Sequence, residues 1–446
     1  MNSINLMIKR LFSSQFRINM ASGMVTTVIN TVVMVVAYPI YLHFLGYEKY
    51  GVWLVLATVL TFIQLGNLGI GPAVMKLVAE EYGRGNTEGI QSYVTTALWT
   101  LAVTGCIALV VLILGVKPII GLFKLGPENA ALAEHFLPYM GILTVYAFLT
   151  QILTATLSGL GRMDQANYRD SACRVISLGV TVVLLIFGYG IVSLLIGMVT
   201  NYLLIHITSI LLIRKIVSIH ILKFNWDIEK FKKLVSFGGA VFGASIISML
   251  FSPFNKLMLS RYAGVSTIPI YEIAFSGSMQ IRALFEAALR AMMPEVSRIG
   301  ATMTDYARDG ISQIYRRAMK LIFLFGVPMY GVMIVCLAPL LRLWLRSRFV
   351  DELPIAFRIM LISTFLSLLS VPSYYTLLGV GMVRYTLISH IILSGVTALI
   401  VLTTVFISHR ISVEAISWAI LTATTVTTLY LTRQNKRKVL KEGTNL

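Results

Sequence analysis

Charge is what this chain is short of. Only 13% of its 446 residues are Asp, Glu, Lys or Arg, where a soluble domain has about a quarter. Hydrophobic residues make up 57%, and mean hydropathy is +0.82. No long polar block interrupts this pattern, which excludes a separate soluble domain. Cys106, Cys173 and Cys336 are too far apart for a disulfide framework or a metal site. The six histidines form no ligand-spaced pair, so neither metal nor cofactor is expected. "GLGRMD" follows no strand signal and is no phosphate-binding loop. Acids are scarcer still: 19 against 37 Lys and Arg, with none from Ile18 to Tyr47 or from Lys49 to Ala79.

What is there is apolar sequence in lengths of one membrane span, about 20 residues. The basic N-terminus leads into an apolar run from Ile18 to Leu42. This run is too long for a signal-peptide core and no small-residue cleavage site follows it, so it reads as an uncleaved first span. Twelve spans are expected, at 18–42, 51–75, 91–115, 136–158, 173–189, 190–213, 235–259, 266–290, 317–338, 354–378, 384–407 and 411–432. The net charge of +18 would suit nucleic acid in a soluble protein. In so apolar a chain it reads instead as loops that fix membrane orientation. With basic residues at span ends counted with the adjoining connection, 25 fall on one face and 9 on the other. The positive-inside rule then puts both termini in the cytoplasm.

The chain repeats itself. Gly159 and Gly161 lie 220 residues before Gly379 and Gly381, Pro72 lies 222 before Pro294, and "GIQSY" at Gly89 lies 221 before "GISQIY" at Gly310. Two six-helix lobes of the same orientation are expected, 1–213 and 235–446, joined by a basic cytoplasmic linker, 214–234. Two parallel halves around a central cavity form a transporter layout.

Ionisable side chains inside spans need protein or water around them. On an ideal helix at about 100° per residue, Glu286 falls about 40° from Arg282, and Arg290 and Glu272 about 80°. All four share one narrow arc. They form either an internal ladder of i,i+4 pairs, with Arg290 snorkelling, or the cationic wall of a cavity for an anionic substrate. Lys256 and Arg261, near the outer end of the seventh span, either meet headgroups or line the site. Gln64 and Asn67 in the second span and Asn30 in the first are candidates for interhelical hydrogen bonds or substrate contacts. Apart from Glu414 at the very start of the last expected span, Glu272 and Glu286 are the acids inside the expected spans, and so the candidate ion-coupling residues, with Glu286 ahead because it lies deeper.

"YLHFLGYEKYGVWLVL", "GNLGIGPAVMKLVAEEYGRGN" and "LSGLGRMDQANYRD" resemble the polysaccharide flippases of the multidrug/oligosaccharidyl-lipid/polysaccharide exporter superfamily, in particular the bacterial transporters of O-antigen and exopolysaccharide repeat units. The resemblance implies a V-shaped, all-α fold with a cavity lined by helices one, two, seven and eight. It also implies passage of a polyprenyl-pyrophosphate-linked oligosaccharide across the bacterial inner membrane, without catalysis or nucleic acid. Its partners would be membrane lipids and, as candidates, a polysaccharide polymerase and chain-length machinery. Arg282 and Arg290 would meet pyrophosphate, for which the planar guanidinium fork is suited. A cation-coupled multidrug exporter of the same fold would need buried acids, and the first two spans have none. A peptidoglycan-precursor flippase differs in cargo and is disfavoured by twelve spans rather than more. A membrane polymerase or ligase would need a large external loop.

Overall fold

The computed structural model describes residues 14–67, 69–218, 226–289, 292–300 and 305–440. Every regular element among them is helical. In hydrocarbon each backbone N–H and C=O must be satisfied within the protein, which a helix does segment by segment. The helices carry their apolar side chains outward as well as inward: Phe406 is 81% and Leu343 73% exposed, a surface that suits lipid and not water. The chain is an all-α polytopic membrane protein.

It forms two compact units, Met1–Ile246 and Ile247–Leu446. The first holds α1 (Ser14–Ile63), α2 (Ile70–Gly83), α3 (Thr87–Leu114), α4 (Val116–Leu122), α5 (Pro127–Gly159), α6 (Met163–Ile186) and α7 (Val192–Ile216). The division falls within α8 (Ile228–Tyr262). The second unit continues with α9 (Ile268–Leu289), α10 (Met292–Gly300), α11 (Asp305–Leu321), α12 (Val327–Leu345), α13 (Glu352–Gly379), α14 (Val383–Ser408) and α15 (Val413–Asn435). Residues 219–225 of the expected linker lie outside the described residues. Its far end is tied to α3: the Trp226 indole donates to Thr100 Oγ1 at 3.4 Å, and the Asp227 amide to Thr96 Oγ1 at 3.2 Å.

Eight helices among the described residues are long and apolar enough to cross a membrane. The first two expected spans are divided differently from the sequence reading. α1 runs through both, broken at Gly46, whose φ of 70° and ψ of 177° only glycine adopts freely. The second span then stops at Ile63, passes through a 3₁₀ turn at Gln64–Asn67, and restarts as α2 after the left-handed Gly69. "GNLGIG" is thus a helix break. α6, α8 and α9 have spanning length but more polar sequences, and all three contribute to the cavities described below.

In each unit one helix sits at the centre. Leu137, Ile152, Leu153 and Leu157 of α5 are wholly buried, as are Leu361, Leu368 and Leu377 of α13. Both helices end in the same way. After Gly159 the Gly161 amide donates to Ser158 O and the Arg162 amide to Leu157 O; after Gly379 the Gly381 amide donates to Leu378 O and the Met382 amide to Leu377 O. These are Schellman caps, with Gly161 at φ 79° and Gly381 at φ 81°. The 220-residue offset therefore holds at the level of individual hydrogen bonds.

Candidate functional site

α9 is held close to α13. A Cβ on Gly277 would stand 2.6 Å from the Phe357 ring, and further along the same helix the Tyr375 hydroxyl of α13 reaches Glu286. Between the two helices is a cavity of about 270 Å³. It is lined by Phe251 of α8, Phe275, Met279, Arg282 and Glu286 of α9, Thr364, Ser370 and Tyr374 of α13, His390 of α14, and Thr424 and Thr427 of α15.

Arg282 is poorly provided with acceptors. Its Nη2 is 3.4 Å from Glu286 Oε2, and its Nη1 faces the Met279 sulfur at 3.9 Å. Its buried Nε finds no hydrogen-bond partner among the described residues. Glu286 is shared, because the Tyr375 hydroxyl donates to Oε1 at 3.3 Å. His390 Nδ1 lies 3.0 Å from Ser248 Oγ. A guanidinium with donors to spare, in a cavity within a membrane helix, is suited to an anionic oxygen ligand.

The other expected site residues are dispersed. Glu272 pairs with Lys256 at 2.7 Å, both largely buried, and accepts from Ser276 Oγ. Neither is among the cavity residues, so of the expected arc Glu272 is separated from Arg282 and Glu286 and pairs with Lys256 of α8 instead. The Arg261 guanidinium lies over the Tyr262 ring, 5.8 Å from its centroid. Asn30 Oδ1 is buried without a hydrogen-bond partner among the described residues and lines neither cavity. Arg290 lies outside the described residues.

Gln64 and Asn67 meet in a second cavity, inside the first unit, of about 500 Å³. Trp53 and Leu60 of α1, Gln151 and Thr154 of α5, Asp170 of α6 and Tyr202 of α7 line it with them. The Asn67 amide donates to Gln151 Oε1 at 2.7 Å. Asp170 pairs with the buried Arg169 at 2.6 Å; Arg169 also donates to Ser209 Oγ at 2.6 Å and Thr154 Oγ1 at 2.8 Å. This corrects the expectation that Glu272 and Glu286 are the acids lying deep within spanning helices. α6, which carries the fifth expected span, begins ten residues earlier than expected, at Met163 rather than 173, and includes Arg169 and Asp170.

The two cavities correspond position by position. At an offset of 220, Met140, Thr144, Thr150, Thr154 and Asp170 map onto Met360, Thr364, Ser370, Tyr374 and His390. At 222, the offset of Pro72 and Pro294, Trp53, Ala57, Leu60 and Gln64 map onto Phe275, Met279, Arg282 and Glu286. The same shift takes Tyr202 onto Thr424 and Ile205 onto Thr427. Sequence reasoning missed Gln151, Asp170, Tyr374 and His390, although the repeat offset would have paired Asp170 with His390.

The profile of a family described as polysaccharide biosynthesis protein matches residues 43–354. A Shigella flexneri protein assigned as an O-antigen transporter is 19% identical over 78% of this chain and 80% of its own length. Among solved structures, an inward-facing multidrug-resistance MATE-family transporter of the MOP superfamily superposes with a TM-score of 0.76 at 16% identity, covering 94% of this chain and 96% of that one. The lipid II flippase MurJ, in an inward closed conformation, does so with a TM-score of 0.74 at 15% identity, covering 92% and 87%. These solved structures share the fold of this chain, and with a family match over more than two thirds of its length the chain belongs to the polysaccharide biosynthesis protein family.

Proposed function

We propose that the chain carries a polyprenyl-pyrophosphate-linked oligosaccharide, an O-antigen or related surface-polysaccharide repeat unit, across the bacterial inner membrane by alternating access. The observation that carries this reading is Arg282: a guanidinium set within a spanning helix, lining a cavity, with its Nε unpartnered among the described residues. The pyrophosphate supplies the missing acceptors. Glu286 fixes the guanidinium from one side, and Tyr375 holds Glu286. The polyprenyl tail stays in lipid while the head group crosses a wet path, so neither is transferred into the wrong solvent. A multidrug exporter for cations fits less well, since the first two expected spans carry no acid.

Expression in a strain lacking its own repeat-unit flippase tests the reading. Restored surface polysaccharide supports it. Protection against cationic dyes with no restored polymer would replace it with the multidrug alternative.

Glu286 is also the proposed coupling acid, because it faces the cavity while Glu272 is committed to Lys256. In gradient-driven transport, Glu286→Gln is expected to lose gradient dependence and Glu272→Gln to keep it; the reverse pattern would move the role to Glu272.

The basic face is proposed to be cytoplasmic, with both termini on that side. In a cysteine-free background, Ser218→Cys should react with impermeant thiol reagents only from the cytoplasm and Ser347→Cys only from the periplasm. Labelling of both from one side contradicts the arrangement.

A further inference from the structure

We propose that the cavity of the first unit is a binding site for a neutral glycosyl unit, separate from the anion site at Arg282. The inference rests on the reading that the cargo is a lipid-linked oligosaccharide, and deepens it by assigning head-group sugar and pyrophosphate to different units.

The repeat keeps positions and changes side chains. Corresponding positions line both cavities, so differences between them are differences of chemistry at a shared geometry. Leu60 stands where the cavity of the second unit has Arg282, and Gln64 where that cavity has Glu286. Both ionic groups are gone. The one ionised group on this wall, Asp170, is already matched by Arg169 at 2.6 Å. Arg169 is itself only 3% exposed, and its other donors are taken by Ser209 and Thr154. Among the described residues lining this cavity, no spare cation awaits a phosphate.

What replaces charge is carboxamide. Gln64, Asn67 and Gln151 each carry a donor and an acceptor, which is what a hydroxyl needs from its surroundings. Asn67 Nδ2 and Gln151 Oε1 engage one another, leaving Gln151 Nε2 to donate and Asn67 Oδ1, buried and without a partner among the described residues, to accept. Thr154 lies beside them, and Trp53 and Tyr202 add aromatic rings on two other helices. Rings that present an apolar face beside hydrogen-bonding side chains suit a sugar, whose ring carries C–H groups on its faces and hydroxyls around its edge. At about 500 Å³ the cavity is within the roughly 300–1,000 Å³ of small-molecule sites.

The test uses the full-length protein in nanodiscs, with saturation-transfer NMR. The probes are neutral methyl glycosides of glucose, galactose and N-acetylglucosamine, with inorganic pyrophosphate and tetraphenylphosphonium as the charged probes. Gln64 and Gln151 are exposed, so Gln64→Ala and Gln151→Ala leave the fold intact, checked by unchanged melting. We expect transfer to at least one glycoside. It should weaken by about tenfold in the double variant, as expected for losing one or two hydrogen bonds to a neutral ligand, and stay unchanged in Arg282→Ala. Pyrophosphate should behave in the opposite way. Absence of glycoside transfer, transfer unaffected in the double variant, or displacement of the glycoside by tetraphenylphosphonium would each overturn the proposal. Loss of pyrophosphate binding alone would instead count against the anion site, and the glycoside arm would stand.

Discussion

Arg282→Ala removes surface polysaccharide from a complemented strain while the protein stays in the membrane. The expected loss is large because this side chain has no easy alternative place. Arg282 lies 14 residues from the start of its helix at Ile268, about 21 Å at 1.5 Å per residue, and the hydrocarbon core is about 30 Å thick. Snorkelling to the outer surface is therefore difficult. A cavity with an anionic ligand removes the difficulty, since its Nε finds no acceptor among the described residues and Glu286 stands at the long distance of 3.4 Å. Arg282→Lys keeps the charge and loses the planar fork, so an intermediate phenotype is expected. An ion pair kept only for structure predicts otherwise. In that case Arg282→Ala strands Glu286, and Arg282→Ala with Glu286→Ala recovers function. Surface polymer measured alongside membrane protein levels separates the two: recovery in the double variant, or normal polymer in Arg282→Ala, contradicts the binding role.

The second large effect is on folding. Arg169→Met should lower the membrane yield and the melting temperature. Arg169 ties three helices together: its donors reach Asp170 on its own α6, Thr154 on α5 and Ser209 on α7. The side chain of Asp170 is 37% exposed, so the ion pair itself is partly screened and contributes little. Most of the cost comes from the buried Ser209 hydroxyl and the half-buried Thr154 hydroxyl losing a charged partner, about 2–4 kcal/mol in all. Arg169→Lys, with three donors on a flexible stem, should recover part of this. Arg169→Met with Asp170→Leu should recover part by the other route, removing the stranded acid. Wild-type melting in Arg169→Met would show that the network does not hold α5, α6 and α7 together.

Much of the fold could be read directly because lipid imposes a length on every span. The 220-residue offset could be read because glycine is needed twice at the same Schellman cap, at Gly161 and Gly381. The break after Ile63 was harder to see. Hydropathy runs without interruption through "TFIQLGNLGIGPAVMKL", and the chain stops its helix there through backbone conformation at Gly69, not through polarity. The joining of the first two spans has the same cause: Gly46 turns the chain within what hydropathy treats as a loop.

The site was legible in part. Helical angle put Glu272 with Arg282, but angle says nothing of depth. Ten residues separate them, about 15 Å along the axis, enough to give Glu272 a different partner in Lys256. Asp170 was hidden because polar residues at a span end look like loop until the helix is seen to begin at Met163. Gln64 and Asn67 were chosen as isolated neutral residues; their grouping with Gln151 and Tyr202 depends on packing among α1, α5 and α7, which no local pattern encodes.

The central claim is that this chain moves a pyrophosphate-linked oligosaccharide and that Arg282 engages its charge. Reconstituted vesicles containing a labelled polyprenyl-pyrophosphate oligosaccharide test both together, by following the fraction that an external, impermeant sugar-oxidising reagent can reach. With wild-type protein, the pool protected inside should become accessible from outside. Arg282→Ala, present at equal density, should leave it protected. Equal loss of protection in the two, or none with either while a cationic dye is moved, would contradict the account.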